Sequence, residues 1–195
     1  MLREFTTTAL PVTADHALRE LIVYACPLGE LADQLDAFFA RSQTECGPNK
    51  AHDYMPHITL TGFFHDVEAT APAYTSALYS ALSQARFTQP AQPIAIKQMA
   101  LHEGFYFLDI DAPWVQLLVA DFARHTRSAS RTDALRLKDG LHLSLAYDFA
   151  PEQGERLATL AREMVDPAAQ ARWELRFYER REFNQWEMHG CWRLD

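Results

Sequence analysis

Two short segments of the sequence each place a histidine two residues before a hydroxyl side chain. The first contains His57 and Thr59, and the second contains His142 and Ser144. If each segment is a β-strand, its two-residue period directs the imidazole and the hydroxyl to the same face. The aliphatic residues between them then face the opposite side, where they can be buried. An imidazole can act as acid or base near neutral pH, so two such strands could bring a pair of acid–base groups to one pocket.

The composition of the 195-residue chain is that of an ordinary folded protein, with 48% hydrophobic and 23% charged residues. The formal net charge of −8 argues against a broad basic surface for long nucleic acid, although it is compatible with a local basic pocket for one nucleotide. Three widely spaced cysteines form neither a zinc-binding pair nor a dense disulfide framework. No signal peptide or membrane-spanning run is evident, so we expect a cytoplasmic monomer that does not bind a membrane.

The hydrophobic pattern predicts an α+β fold. Apolar residues at helical spacing predict four helices, at 28–41, 70–85, 113–127 and 151–164. Asp111 is a suitable N-cap for the third helix, which is predicted to bury Trp114, Leu117, Leu118 and Phe122. Apolar and β-branched runs predict strands at 21–25, 94–101, 105–110, 173–177, 186–192 and at the two histidine segments. Residues 1–18 have no clear period and are interpreted as an arm or loop.

The predicted elements follow the same order twice. A helix, a histidine strand, a second helix and two strands run from residue 28 to 110, and the same order recurs from 113 to 194. The first helices of the two series begin 85 residues apart, and the two histidines are also 85 residues apart. Because each series ends in a hairpin, the pattern favours a duplicated α+β unit over a fully parallel sheet.

The paired His-x-Thr and His-x-Ser strands, in a duplicated α+β chain of this length, resemble the 2H phosphoesterase superfamily. That superfamily includes cyclic nucleotide phosphodiesterases and proteins of the 2′-5′ RNA ligase type. The resemblance covers essentially the whole chain after residue 18. It implies a single domain over 1–195 with two pseudo-twofold-related lobes, at about 19–111 and 112–195. Each lobe is expected to hold an antiparallel-containing sheet flanked by helices, with the active-site cleft between the lobes.

The resemblance also implies roles for the four motif residues. His57 and His142 would be the catalytic acid and base, and Thr59 and Ser144 would bind the substrate phosphate. The expected reaction is metal-independent hydrolysis, without a cofactor, of a cyclic phosphate in a 2′,3′-cyclic nucleotide, ADP-ribose 1″,2″-cyclic phosphate or an RNA end. Which histidine is the base stays open, because the two motifs are alike.

Two further residues are candidates for substrate contacts. Tyr106 lies next to a predicted turn and could stack on a base. Lys138 lies in the most basic stretch of the chain and could steer a phosphate, with Arg127 and Arg131 as alternatives. Core packing remains the alternative for Tyr106, and simple solvation remains the alternative for the basic residues.

Other residues with suitable chemistry are assigned structural roles. Core packing is favoured for three aromatic residues that could also stack on a base: Tyr24, Tyr54 and Phe105. Thr61 is interpreted as an ordinary strand threonine. Metal-ligand spacing is not found among the remaining histidines, which are His52, His65, His102, His125 and His189.

Three other functions remain open. One is cleavage or ligation of a 2′-5′ linkage in RNA, for which a more basic pocket rim would be expected. Another is a nucleotide-binding module without turnover, although binding a phosphate does not require a matched acid and base. The last is a structural or interaction protein in which both motifs are buried and unreactive.

Overall fold

The computed structural model describes residues 17–88, 92–182 and 185–194. The described residues form four α-helices and eight strands that belong to one antiparallel sheet. The predicted α+β class is therefore confirmed. The arm predicted over residues 1–18 lies outside the described residues except for its last two positions.

The helices begin and end close to their predicted positions. They are α1 (Glu30–Cys46), α2 (Ala71–Thr88), α3 (Pro113–His125) and α4 (Gly154–Met164). Short 3-10 helices lie at Lys50–Asp53, Glu68–Thr70 and Pro151–Gln153. Within the described ranges, none of the helices combines the length and the hydrophobicity that a membrane crossing requires.

The strands include one that the sequence pattern did not predict. They are β1 (Leu18–Leu28), β2 (Ile58–Thr59), β3 (Phe64–Val67), β4 (Ala95–His102), β5 (Phe105–Asp111), β6 (Leu141–Tyr147), β7 (Arg172–Arg180) and β8 (Trp186–Arg193). The unpredicted strand is β3, which is too short to show a clear alternation. It pairs with the first part of β1, on the edge that β2 occupies further along.

The strand order shows how the two halves of the chain combine. The order across the sheet is β4-β5-β6-β2-β1-β7-β8, with β3 beside β1. The β4–β5 hairpin of the first half therefore pairs with β6 of the second half. The described strands form one continuous sheet instead of a separate sheet in each lobe, and the predicted two-lobe pseudo-symmetry is not confirmed.

The two faces of the sheet have different surroundings. Along β1, Val23 and Ala25 belong to the main hydrophobic core, whereas Tyr24 and Cys26 belong to a smaller cluster on the other side. The main core also contains buried residues from all four helices, among them Leu35, Leu78, Leu118 and Leu160. The helices therefore cover one face of the sheet. The opposite face, here called the open face, carries the smaller aromatic cluster and is available for a site.

The start of α3 differs from its prediction. Asp111 ends β5, and Ala112 occupies the N-cap position without a side-chain cap. Pro113 begins the helix as predicted. Leu117 was predicted to be buried, but its side chain is 58% exposed. The buried stripe follows the four-residue spacing from Trp114 to Leu118 and Phe122, which leaves Leu117 on the flank of the helix.

Hydrogen bonds of Leu60 and Thr61 attach the segment that follows β2 to β1. The backbone N–H groups of Leu60 and Thr61 both donate to the Val23 carbonyl, at 3.0 and 3.4 Å. The Thr61 hydroxyl oxygen in turn accepts a bond of 3.1 Å from the Val23 N–H. Because Thr61 is fully buried, its hydroxyl replaces a ladder hydrogen bond where the two-residue strand has ended. This bond helps to hold the first histidine motif in place.

Replacing Thr61 with valine should destabilise the fold, because the buried Val23 N–H would lose its acceptor. We expect the free energy of unfolding to fall by about 1–3 kcal/mol in a denaturant titration. Thr61→Ser keeps the hydroxyl and should cost less. A valine variant as stable as the parent would show that the bond does not contribute.

Candidate active site

The pairing of β2 with β6 brings the two histidine motifs together. Ile58 lies directly opposite Leu143, and both side chains are buried on the helix-covered side. In an antiparallel pair the flanking residues face each other on the opposite side, with Cβ atoms about 4.5–5.5 Å apart. On the open face this register sets two cross-strand pairs: His57 with Ser144, and Thr59 with His142. Each histidine is therefore opposite the hydroxyl residue of the other motif.

A cavity of about 210 Å³ lies over this group of four residues, which we call the histidine block. Three members of the block line the cavity: His57, Thr59 and Ser144. His142 is not among the lining residues, and its ring centroid lies 5.3 Å from that of Phe105 and 5.6 Å from that of Phe107. The rest of the wall is mainly aromatic and basic, and includes Tyr24, Tyr54, Phe63, Tyr147, Arg136 and Lys138.

The hydrogen bonds of His57 define its tautomer. Its Nδ1 lies 2.7 Å from the Met55 carbonyl oxygen, which can only accept, so Nδ1 must carry a proton. In the neutral ring Nε2 is then unprotonated, and it accepts a bond of 3.1 Å from the Thr59 hydroxyl. The ring centroid lies 3.9 Å from that of Tyr24, which packs against the imidazole. His57 is thus held in one orientation with a basic nitrogen beside the cavity.

Burial lowers the pKa of His57 to about 4. The Met55 carbonyl opposes this change by favouring the protonated ring, whereas a positive charge on His142 reinforces it. At neutral pH the His57 ring is therefore uncharged, as a general base requires.

His142 has a different charge environment. Burial lowers its pKa below the ordinary histidine value, and the ammonium group of Lys138 lowers it further. Asp109, directly opposite His142 on β5, acts in the other direction. Among the described residues, the His142 ring has no hydrogen-bond partner that would fix its tautomer. The two motifs are alike in sequence, but their histidines differ in their hydrogen bonds and in their charged neighbours.

The basic stretch before β6 supplies two cations to the cavity, one of which was not singled out from the sequence. Lys138 lines the cavity, where it was expected, and Arg136 lines it as well. Arg131 instead donates to the Tyr74 hydroxyl and to the Thr126 carbonyl. Arg127 is not among the lining residues. The sequence does indicate that Arg136 could share the site of Lys138, because residues two positions apart in an extended segment have their side chains on the same side.

The interpretation of Tyr106 as a base-stacking residue is wrong. Its side chain is buried in the main core on the helix-covered face, and its hydroxyl donates to the Gly154 carbonyl at 2.8 Å. The alternation along β5 gives Tyr106 the same side as Leu108 and places Phe105 on the open face, beside His142. Tyr54, for which core packing was favoured, lines the cavity.

Most of the other histidines have structural partners. His52 accepts a bond of 3.2 Å from the Asn49 N–H at the start of a 3-10 helix, and its Nε2 lies 3.0 Å from the Ser42 hydroxyl. His189 contacts the buried carboxylate of Glu179 at 3.0 Å. In the described ranges there is no group of three or more histidine, cysteine, aspartate or glutamate side chains arranged to hold a metal ion.

Comparison with known proteins identifies relatives much longer than this chain. An ecdysteroid-phosphate phosphatase of Bombyx mori is 31% identical over 164 residues, which are 83% of this chain and 24% of that protein. The ubiquitin-associated and SH3 domain-containing protein B of Homo sapiens is 32% identical over 158 residues, covering 80% of this chain and 24% of that protein. No family model matches the sequence. The chain thus spans about a quarter of the length of these relatives.

The depressed pKa of His57 can be measured by NMR titration of the imidazole nitrogens, with His57→Gln used to assign the signals. We expect a neutral ring protonated at Nδ1 and a titration midpoint near 4. Because the unfolded chain binds this proton at a higher pH than the folded chain does, His57 should make folding less favourable as pH falls from about 6.5 toward 4. A midpoint near the ordinary value would contradict the burial of the ring.

Proposed function

We propose that this chain hydrolyses a cyclic phosphate by general acid–base catalysis, with His57 as the base and His142 as the acid. The observation that carries the proposal is the β2–β6 register, which places two imidazoles and two hydroxyls on one patch beside a cavity. Thr59 and Ser144 would donate hydrogen bonds to the non-bridging phosphate oxygens. These donors stabilise the charge that develops on the oxygens in the transition state.

The charge environments support this assignment of acid and base. His57 is neutral at pH 7, and the Met55 carbonyl leaves its Nε2 free to accept a proton. Burial and the charge of Lys138 lower the pKa of His142 as well, but Asp109 on the facing strand partly offsets this by favouring a protonated imidazole. A bound phosphate would add a further negative charge near His142. The base is thus the ring whose protonated form is disfavoured most, and the acid is the ring with an acidic neighbour.

The proposed reaction has one chemical step. His57 Nε2 takes a proton from water as the water oxygen forms a bond to phosphorus. The bond from phosphorus to one ribose oxygen breaks, and that oxygen takes the proton of His142. The product is a ribose phosphomonoester with a free neighbouring hydroxyl. His57 then releases its proton to solvent and His142 takes one up, which restores both rings for the next turnover. Before substrate binds, Thr59 donates to Nε2, and that bond must yield to the attacking water.

The charge of the cavity fits an anionic substrate. Arg136 and Lys138 contribute two positive charges, and none of the lining residues is acidic. The chain as a whole has 26 acidic and 18 basic residues. A basic cavity on an acidic protein would attract a small phosphate while the remaining surface repels long nucleic acid. This combination favours a mononucleotide or a short RNA end over the 2′-5′ RNA alternative.

The name of the Bombyx mori relative supports phosphate-ester chemistry as a class, and it raises phosphomonoester hydrolysis as a second candidate. The name describes a protein of which this chain matches about a quarter. An acid–base pair could serve either reaction. We favour the cyclic diester because the paired His-x-Thr and His-x-Ser motifs resemble those of the 2H phosphoesterase superfamily. An ecdysteroid phosphate therefore belongs in the assay panel beside the cyclic phosphates. A nucleotide-binding module without turnover remains the non-catalytic alternative.

Replacing either histidine with alanine should nearly abolish hydrolysis of 2′,3′-cyclic nucleotides or ADP-ribose 1″,2″-cyclic phosphate. We expect kcat to fall by about 10²–10⁴-fold in each variant, because each loses one proton-transfer group. The assay is run in EDTA, where the parent is expected to remain active. His125→Ala is the matched control, because His125 is an exposed residue of α3 and does not line the cavity.

Three results would count against the proposal. Full activity in His57→Ala or in His142→Ala would exclude two-histidine catalysis. Hydrolysis of the ecdysteroid phosphate without hydrolysis of any cyclic phosphate would favour the phosphomonoesterase. Tight binding of the cyclic nucleotides by the parent without turnover would favour the binding module.

The pH dependence of kcat/KM should be bell-shaped, with its maximum on the acid side of neutrality. Activity should rise as His57 loses its proton near pH 4, and fall as His142 loses its own proton below the ordinary histidine pKa. Asp109→Asn removes a charge that raises the pKa of His142, so the descending limb should move to lower pH. Asp111→Asn, on the same strand but not opposite His142, should leave that limb in place. An unchanged limb in Asp109→Asn would contradict the assignment of His142 as the acid.

A further inference from the structure

Arg136 and Lys138 give the cavity more positive charge than a cyclic phosphate requires. A cyclic phosphodiester carries one negative charge, and the hydroxyls of Thr59 and Ser144 are already available to its oxygens. Both cationic residues line the cavity, and within the described parts of the chain neither forms an ion pair with a carboxylate. A substrate with a second anionic group would make use of both cations.

Arg136 and Lys138 lie two residues apart on one segment that lines the cavity. Leu137, between them, forms a bridge with Thr61, so the chain is extended at this point. In an extended chain the Cα atoms of Arg136 and Lys138 lie roughly 6.6 Å apart, with their side chains on the same side. Two cations on one side of an extended segment can therefore each contact a different phosphate of one substrate.

The two cations have different neighbours. The positive charge of Lys138 lowers the pKa of His142. Arg136 packs against Gly62, whose N–H donates to the Arg136 carbonyl at 2.7 Å. A Cβ atom at position 62 would lie 3.2 Å from the Arg136 Nε and 3.3 Å from its Nη2, so the missing side chain leaves room for the guanidinium. The Arg136 side chain therefore packs against the backbone of Gly62, which lines the cavity together with Phe63.

We propose that the substrate is a ribose cyclic phosphate that also carries a phosphate on its 5′ oxygen, and that Arg136 binds this second phosphate. The inference rests on the proposed hydrolysis of a cyclic phosphate. A guanidinium suits this role because its planar donors bind two phosphate oxygens at once. The same group occurs in a 5′-phosphorylated cyclic mononucleotide, in ADP-ribose 1″,2″-cyclic phosphate and at a 3′ end of RNA, and the chemistry recognised is common to all three.

The test compares kcat/KM for uridine 2′,3′-cyclic phosphate with that for the same compound carrying a 5′-phosphate. The dinucleotide with a 2′,3′-cyclic end is the third substrate. The parent should prefer the phosphorylated substrates by about 10–100-fold, as expected for hydrogen bonds to a charged group. Arg136→Gln should lose most of this preference, and Arg136→Lys should retain part of it. Arg127→Gln, which removes an arginine outside the cavity lining, should retain the preference in full.

The outcomes separate this inference from the proposed function. Equal kcat/KM values in the parent, or an unchanged preference in Arg136→Gln, would overturn the role of Arg136 while leaving the hydrolysis in place. Absence of turnover with all three substrates and with ADP-ribose 1″,2″-cyclic phosphate would overturn the proposed function and this inference with it. A preference that depends on Arg136 supports the second phosphate site, and the better of the two phosphorylated substrates identifies its source.

Discussion

The arrangement of the candidate site depends on the antiparallel pairing of Ile58 with Leu143. These two aliphatic side chains are buried against the helices, and their burial directs the flanking residues of both strands to the open face. A shift of one residue in this register would bury the histidines and expose the aliphatic residues, at a large cost in hydrophobic free energy. The core thus fixes which side chains meet at the surface. The short strand β2 is held in place from both sides, by β1 and by β6.

The two histidine motifs are alike in sequence, but the residues that surround His57 differ from those that surround His142. His57 is supported by the Met55 carbonyl and the Tyr24 ring, both on one side of the cavity. His142 instead lies between the charges of Lys138 and Asp109. Two similar motifs can therefore supply one base and one acid, since desolvation and neighbouring charges shift the pKa of each ring separately. In the proposed mechanism, the division of roles arises from these neighbours.

The sequence predicts local structure well where a segment is long and periodic. All four helices and the β4–β5 hairpin were predicted, and the alternation within the two motifs placed the histidine and hydroxyl of each on a common face. The pairing of β2 with β6 did not follow from the local pattern, because it joins residues 85 positions apart. Tyr106 was considered for base stacking because it lies next to a turn, although its alternation with Leu108 pointed to the core. Arg136 was not singled out as a site residue because its packing against Gly62 is a tertiary contact.

The most direct test of the central claim is to measure whether both histidines bind one phosphorus centre. A nucleoside–vanadate complex mimics the five-coordinate transition state, and its binding can be followed by NMR of the imidazole nitrogens. The proposed mechanism predicts that the signals of His57 and His142 shift together and saturate at one equivalent of the complex. Saturation of the complex with a shift in only one of the two rings would contradict it.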